Sequence, residues 1–548
     1  MDGFVTWPAE FAARYRAAGH WQDRTLGEVL AEAFAAHADR TALVADDGRS
    51  FTYKRLDRLS QRLALHLRAL GLALYDRVVL HLPNTPEAVI AFLGIVRAGG
   101  IPIMALPPHR EAEIGHFARH AEATCYVVGD RLRDIDGQAL AQAVAQDCPS
   151  LRLVLVGGGE PRKGFRGIAA LLEDPIEERI AADVLPRPDP SLPALLLLSG
   201  GTTGVPKLIP RTHNDYAVNF LRCAEVCGLG ADTVLLIAIP QGHNFALGCP
   251  GLLGTLSRGG RELLLSSPAP DHVIEMMQRH RVTHFVGVPT MVLGLLDHPR
   301  RKSHDLSALR TVITGGSKLN PEVGMRVRRE LGCDLQQVLG MAEGPLFYTR
   351  LDDPEEVKIE TQGRLILPDD EFRIVDPDSG AEVEPGAVGE LWCRGPYTIR
   401  GYYRAAEHNA KAFSADGFYK SGDLARLHPS GNVVVDGRIK DCINRGGEKI
   451  SSEEVENHML AHPAVANCAL VAMPDARLGE KGCAWVVLRP GASLTLESLT
   501  KFLSDERRIA RFKLPERLEI TEALPLTNVG KVDKKALRDI TATLAARD

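Results

Sequence analysis

The sequence holds ten cysteines but no C-x-x-C pair: Cys125, Cys148, Cys223, Cys227, Cys249, Cys333, Cys393, Cys442, Cys468 and Cys483 are scattered. That spacing gives neither a zinc site nor a thioredoxin-like pair. There is no excess of positive charge, since 65 Lys and Arg stand against 70 Asp and Glu, a net −5. Nucleic-acid binders usually show a basic face, so that partner class is set aside. No apolar run approaches the ~20 residues that span a bilayer. The stretch from Ala88 to Val96 ends at Arg97. The first residues, Met1 to Arg14, carry Asp2 and Glu10 and no apolar h-region, so no signal peptide is expected. Internal repeats and low-complexity runs are absent as well. The expectation is a cytoplasmic protein of a reducing compartment, with no nucleic-acid and no membrane partner.

What the sequence does have is length and pattern. Its 548 residues are 45% apolar and 25% charged, an ordinary globular balance. A core this large needs no disulfide staple. Thr25-Leu-Gly-Glu28 is a capping box ahead of the helical spacing of Leu26, Val29, Leu30, Ala33 and Phe34. Short apolar runs at Arg77–Leu82, Cys125–Gly129, Leu151–Gly157, Leu195–Leu198, Thr233–Ile239 and His284–Pro289 alternate with helical stretches. Such alternation predicts an α/β class with a largely parallel sheet. After about Gly363 the texture turns β-rich, with strands expected at Glu371–Val375, Gly389–Cys393 and Asn432–Val435. The tail reads as a small α+β domain, with strands at Cys468–Met473 and Cys483–Leu488. Residues 1–437 are therefore expected to form a large N-terminal domain of layered α/β subdomains plus a β-rich subdomain. Residues 438–548 are expected to form a small C-terminal domain.

Four segments carry chemistry. In Leu195-Leu-Leu-Leu-Ser-Gly-Gly-Thr-Thr-Gly-Val-Pro-Lys207 an apolar strand enters a Gly/Thr loop that ends on a lysine. Glycines let backbone N–H groups approach a phosphate, and the hydroxyls and the ammonium add donors. Leu208 follows the lysine, so this is not a Walker A loop. In Gln337-Val-Leu-Gly-Met-Ala-Glu343-Gly a carboxylate follows a short strand, a place suited to Mg²⁺. Tyr419-Lys-Ser-Gly-Asp423, with Arg438 beyond it, offers a carboxylate to ribose hydroxyls. Pro525-Leu-Thr-Asn-Val-Gly-Lys531-Val puts a lysine on a glycine turn near the C-terminus, able to bring charge to a reacting phosphate.

In this order and spacing the four segments resemble the adenylate-forming superfamily: acyl- and aryl-CoA ligases, non-ribosomal peptide adenylation enzymes and luciferases. Tyr397-Thr-Ile-Arg-Gly-Tyr-Tyr403 and Gly437-Arg-Ile-Lys-Asp441 fit its pattern too. The resemblance runs from about Thr25 to about Leu537. Within the superfamily the sequence is most similar to the stand-alone aryl-acid adenylating enzymes of siderophore assembly. It is so through Gly242-His-Asn-Phe245, Leu335-Gln-Gln-Val-Leu-Gly-Met-Ala-Glu-Gly344, Tyr348-Thr-Arg-Leu-Asp-Asp-Pro354, Arg394-Gly-Pro-Tyr-Thr-Ile-Arg-Gly-Tyr-Tyr403 and Asn444-Arg-Gly-Gly-Glu-Lys449.

The resemblance implies two half-reactions with ATP and Mg²⁺. An aryl carboxylate attacks the α-phosphate to give aryl-AMP and pyrophosphate. The phosphopantetheine thiol of an aryl carrier protein then takes the acyl group. Lys531, His243 and Lys207 are implied as catalytic. Ser199, Gly200, Gly201, Thr202, Thr203 and Gly204 would hold the β- and γ-phosphates, and Glu343 the metal. Gly315, Gly316, Ser317, Val338, Leu339, Gly340, Met341 and Ala342 would line the nucleotide, with Val435, and with Asp423 and Arg438 on the ribose. Leu339 stands where an adenine-stacking aromatic is common, a departure from the pattern. Lys440 matches the hinge of a mobile C-terminal domain, and Gly446 and Gly447 the thiol channel. No carrier domain follows Lys531, so the acyl acceptor is expected from another protein.

The aryl pocket is implied at His243, Asn244, Phe245, Cys249, Gly315, Gly316, Gly340 and Leu346. Asn244 would hydrogen-bond the ortho-hydroxyl and carboxylate of the acid, which disfavours plain benzoate. Cys249 and Leu346 stand where dihydroxybenzoate enzymes tend to have Ser and Val. A drier ring edge favours salicylate over 2,3-dihydroxybenzoate. Gly248 suggests room for a 6-alkyl salicylate. The alternatives are a 2,3-dihydroxybenzoate–AMP ligase and an aryl-CoA ligase that uses free coenzyme A.

Overall fold

The structure is a computed structural model. It describes residues 1–199, 206–445, 448–475, 477–507, 509–527 and 530–546. The strand–helix alternation resolves into two large sheets rather than one. A nine-stranded sheet has the parallel strands Asp334–Gly340, Thr311–Gly315, His284–Gly287, Val234–Ile237, Arg261–Leu264 and Thr41–Ala45 at its centre, with antiparallel strands at its edges. A seven-stranded sheet runs from Leu208–Thr212 through Pro193–Leu198, Ile101–Met104, Arg77–His81, Cys125–Gly129 and Leu153–Gly157 to Arg166–Gly167. Periodicity identifies strands but not which strands pair, so the second sheet was not visible in the pattern.

Helices fill the space between the sheets. Pro86–Arg97 starts on a proline, which loses nothing at a first helical position, and is buried on every side. The apolar run from Ala88 to Val96 is thus an interior helix. Among the described residues no helix is long and apolar enough to cross a membrane. The expected box at Thr25 forms in full: Thr25 Oγ1 accepts the Glu28 N–H at 3.2 Å, and Glu28 Oε2 accepts the Thr25 N–H at 2.8 Å. One core cluster joins both sheets, with Leu43 and Leu264 from one, Leu80, Val127 and Leu195 from the other, and Leu63, Phe92 and Phe220 between.

A four-stranded antiparallel sheet follows, Glu371–Val375, Gly389–Arg394, Tyr419–Leu427 and Val433–Arg438. A separate five-stranded sheet starts at Cys442–Arg445 and holds Glu448–Ser451, Val465–Asp475, Gly479–Leu488 and Arg517–Ile520. It has its own core, including Ile443, Val455, Leu470, Val486 and Leu499. The pattern missed three of these strands, which are short and rich in charged residues. All ten cysteines are free thiols, and only Cys442 is not buried.

Candidate active site

The site lies beyond the carboxyl ends of the parallel strands of the nine-stranded sheet, the usual place for ligands in open α/β sheets. The strand Val234–Ile237 leads to His243, which caps the short helix Asn244–Gly248. His243 Nδ1 accepts the Phe245 N–H at 3.2 Å, so Nε2 carries the ring proton. Burial, helped by the nearby Lys531 charge, pushes the imidazole down to about 3. It is therefore a neutral N–H donor at physiological pH.

Asn244 is buried with both ends of its amide engaged. Oδ1 accepts the Tyr216 hydroxyl at 2.9 Å, and Nδ2 donates to Cys249 Sγ at 3.2 Å. Asn219 Nδ2 reaches the same sulfur at 3.3 Å and the Gly248 carbonyl at 2.7 Å. Burial alone would raise the Cys249 thiol, but Cys223, Asn219, Arg211 and Asn244 together draw it below its ordinary range. Phe245, Cys249, Val338 and Leu346 share one apolar cluster. The room expected at Gly248 does not exist. A Cβ there would sit 2.8 Å from the Tyr216 hydroxyl, so the tyrosine already fills the space that an alkyl group would need.

Two glycines join this pocket to the lysine. A Cβ on Gly315 would lie 3.5 Å from Phe245 Cζ, and one on Gly316 would lie 2.8 Å from Lys531 Cε. Gly316 also has φ +91°, a left-handed conformation that favours glycine. Gly340 is similar, since its Cβ would meet Leu346 Cδ2 at 2.6 Å. The turn that carries Lys531 is braced by Thr527, whose N–H donates to the Lys531 carbonyl at 2.6 Å. Thr290 Oγ1 donates to the Gly530 carbonyl at 3.0 Å and ties that turn to the large part of the chain. Burial and the Arg438 charge lower the Lys531 ammonium to about 8.

On the nucleotide side, Asp423 and Arg438 face each other across paired strands, with Nε to Oδ1 at 2.6 Å. Asp423 is 3% exposed, and its Oδ2 is buried without a hydrogen-bond partner among the described residues. A diol can supply what that oxygen lacks. Glu343 is 8% exposed. The Tyr402 hydroxyl donates to its Oε1 at 2.7 Å, and no basic side chain pairs with it among the described residues. A nearly buried carboxylate without a cationic partner fits a metal ion. No group of three His, Cys, Asp or Glu could hold one by itself among the described residues. Mg²⁺ usually takes one or two protein carboxylates and completes its shell with water and substrate phosphates.

Ser199 and Lys207 pair with each other at the two ends of the segment expected to hold phosphates. Lys207 N–H donates to Ser199 Oγ at 2.9 Å, and Ser199 N–H to the Lys207 carbonyl at 3.0 Å. Gly200, Gly201, Thr202, Thr203 and Gly204 lie outside the described residues, as do Gly446 and Gly447. Val435 is buried, and its carbonyl accepts Lys318 Nζ at 3.0 Å. Val338 and Leu339 lie in the strand Asp334–Gly340, Met341 and Ala342 follow its end, and Ser317 is exposed beyond Gly316. Lys440 lies between the last strand of the four-stranded sheet and the first of the five-stranded sheet, its ammonium lowered by burial and by Arg438.

Sequence reasoning passed over several residues that build the site. Tyr402 holds Glu343, Tyr216 and Asn219 hold the pocket wall, and Arg211 is wholly buried beside Asp215. The signal available was Thr212-His-Asn-Asp215, a capping box directly after the strand that leaves the phosphate loop.

Known proteins resemble this chain over nearly its whole length. Residues 30–403 match the family described as AMP-binding enzyme, and residues 454–531 match the AMP-binding enzyme C-terminal domain. A salicylyl-CoA synthase / salicylate adenylyltransferase from a Streptomyces species is 51% identical over 543 residues, 98% of each chain. The 2,3-dihydroxybenzoate-AMP ligase of Bacillus subtilis is 44% identical, again over 98% of each chain. Among solved structures, apo MbtA of Mycobacterium smegmatis is 44% identical over 98% of each chain, with a TM-score of 0.74. The chain belongs to the AMP-binding enzyme family, the adenylate-forming ligases that use ATP and Mg²⁺.

Proposed function

We propose that this enzyme activates an ortho-hydroxybenzoic acid, salicylate in preference to 2,3-dihydroxybenzoate, and passes the acyl group to the phosphopantetheine thiol of an aryl carrier protein. It is an aryl-acid adenylating ligase. The observation that carries the reading is the meeting of Phe245 and Lys531 at the adjacent glycines 315 and 316. A ring held against Phe245 would have its carboxylate within reach of the lysine.

The chemistry asked of the chain is mostly positioning and charge. The aryl carboxylate attacks the α-phosphorus of ATP, the bond to the bridging oxygen breaks, and pyrophosphate leaves. Lys531 offsets the negative charge that builds on the α-phosphate. Neutral His243 donates through Nε2 without competing with the lysine for a proton. Asp423 Oδ2 accepts the ribose hydroxyls, and Arg438 holds that carboxylate in place. Glu343 would hold Mg²⁺, which neutralises the phosphates when bound. Ser199 and Lys207 shape the loop expected to grip the β- and γ-phosphates. In the second half-reaction the thiol attacks the acyl carbon and AMP leaves. Residues 438–548 would turn about Lys440 between the two steps and withdraw Lys531.

The salicylate preference rests on Cys249 and Leu346. A sulfur already accepting two amide N–H groups is a poor partner for a ring 3-hydroxyl, and Leu346 closes the adjacent wall. Asn244 Nδ2 keeps a second proton for the substrate. The name of the Streptomyces relative favours a second reading, transfer to free coenzyme A. ATP–pyrophosphate exchange with salicylate, 2,3-dihydroxybenzoate, benzoate and an amino acid tests the first step. Exchange strongest with salicylate is expected, and none with any ortho-hydroxy acid would refute the reading. Thioester formation with holo carrier protein against coenzyme A separates the two acceptors.

A further inference from the structure

Behind the pocket lies a buried polar chain whose arginine none of the roles above uses. It starts at Arg211, in the strand Leu208–Thr212, and continues into the helix His213–Val226. Arg211 and Asp215 are both 0% exposed, and Nε reaches Asp215 Oδ1 at 2.7 Å. Nη2 donates to Asn219 Oδ1 at 3.2 Å and to the Tyr397 carbonyl at 3.1 Å. Nη1 donates to the Ala342 carbonyl at 2.9 Å.

A guanidinium has donors only. Asn219 must therefore turn its oxygen towards Arg211, which leaves Nδ2 facing the Gly248 carbonyl and Cys249 Sγ. Asn244 is under no such compulsion, because its neighbours, the Tyr216 hydroxyl and the Cys249 thiol, can each donate or accept. One of the two amides at the ring edge is thus fixed by a buried charge, and that amide makes the sulfur an acceptor. The second arm of Arg211 ends one residue before Glu343. Its third contact, Tyr397, packs against the same turn, since a Cβ on Gly344 would lie 2.1 Å from the Tyr397 carbonyl oxygen. Glu343 and Ile399 close the arrangement, with the Ile399 N–H donating to the Glu343 carbonyl at 2.8 Å.

We propose that Arg211 is a positioning residue for both halves of the site: it sets the Asn219 amide at the aryl pocket and holds the turn that presents Glu343 to the metal. The pocket half of this proposal rests on the aryl-acid reading above. Arg211 acts only through these neighbours, so its removal should be read in two separable quantities, the KM for the aryl acid and the Mg²⁺ concentration at half-maximal exchange.

The test compares wild type, Arg211→Lys and Asn219→Leu by pyrophosphate exchange with salicylate, with thermal unfolding alongside. Lysine keeps the charge opposite Asp215 but cannot span all three carbonyl contacts. Arg211→Lys is expected to raise the aryl-acid KM about tenfold and the Mg²⁺ midpoint about tenfold. Asn219→Leu is expected to raise the aryl-acid KM about tenfold and leave the Mg²⁺ midpoint at the wild-type value. An Arg211→Lys enzyme that loses stability or kcat with both quantities unchanged would overturn the proposal, as would an Asn219→Leu enzyme whose Mg²⁺ midpoint moves with its KM. If Arg211→Lys does not fold, Asn219→Leu alone decides, and an unchanged KM refutes the pocket arm. If wild type exchanges with no ortho-hydroxybenzoate, the aryl-acid reading fails by itself. The Mg²⁺ midpoints, taken with whichever acid supports exchange, then judge the Arg211 proposal.

Discussion

The wall expected to face the aryl ring and the wall expected to face the nucleotide are built on opposite plans. At the ring edge the amides of Asn219 and Asn244 are engaged at both ends, by Arg211 from a strand, Tyr216 from the helix that follows it, and Gly248 and Cys249. On the nucleotide side Asp423 keeps an unmatched buried oxygen, and Glu343 lacks a basic partner among the described residues. That wall is also gathered from afar: Lys531 comes from the tail, Asp423 and Arg438 from the four-stranded sheet, and Glu343 from the nine-stranded sheet. A wall satisfied in advance selects by shape and donor pattern and need not move. A wall with unmet polar atoms gains most when its ligand arrives. On the proposed function, selection and chemistry fall to different parts of the chain.

The sharpest way to break this contrast is Lys531→Ala. Aryl-AMP formation should fall about 10²–10³-fold, while thioester formation from supplied aryl-AMP stays near wild type. Equal loss in both assays would mean that the lysine is not confined to the first step. Asp423→Asn should come next. It removes a charged acceptor, and the KM for ATP should rise about tenfold or more, while the KM for the aryl acid holds within twofold. A matching rise in both would merge the two walls into one unit.

A pH series probes the same lysine more gently. Its ammonium sits at about 8 in the folded chain against an ordinary 10.5. The adenylation kcat/KM should therefore fall as pH rises through about 8, and thioester formation from supplied aryl-AMP should not follow it. Between pH 8 and 10.5 the unfolded chain holds the proton that the folded chain has released, so this lysine's contribution to stability rises with pH across that window. Lys531→Ala should abolish the alkaline limb, and a limb that survives would assign it elsewhere. The smallest effect is expected at Cys249→Ser. The ratio of kcat/KM for 2,3-dihydroxybenzoate over salicylate should rise by about threefold to tenfold, with the KM for ATP unchanged. An unaltered ratio would remove Cys249 as a selector.

Much of this was legible along the chain because it rests on local chemistry. The candidate phosphate loop, Glu343, Asp423 and the glycine-turn lysine stand out in the sequence through their joint order and spacing, each of the last three being weak alone. The α/β class followed from alternating apolar runs. What stayed hidden depends on burial and on pairing across distance. Arg211 looks like any surface arginine after a strand until it is seen wholly enclosed, with partners 131 and 186 residues away. Gly248 looked like spare volume because nothing in the sequence says that Tyr216, one helix earlier, points into it. The division into two large sheets was invisible for the same reason.

Gly316 bears on how the two proposed steps are kept apart. Its missing side chain is the slot through which the Lys531 methylenes pass, and a single methyl there would act as a wedge. The left-handed backbone would resist that methyl too. On the proposed two-step cycle, that methyl is expected to slow the making of adenylate more than the spending of adenylate handed to the enzyme.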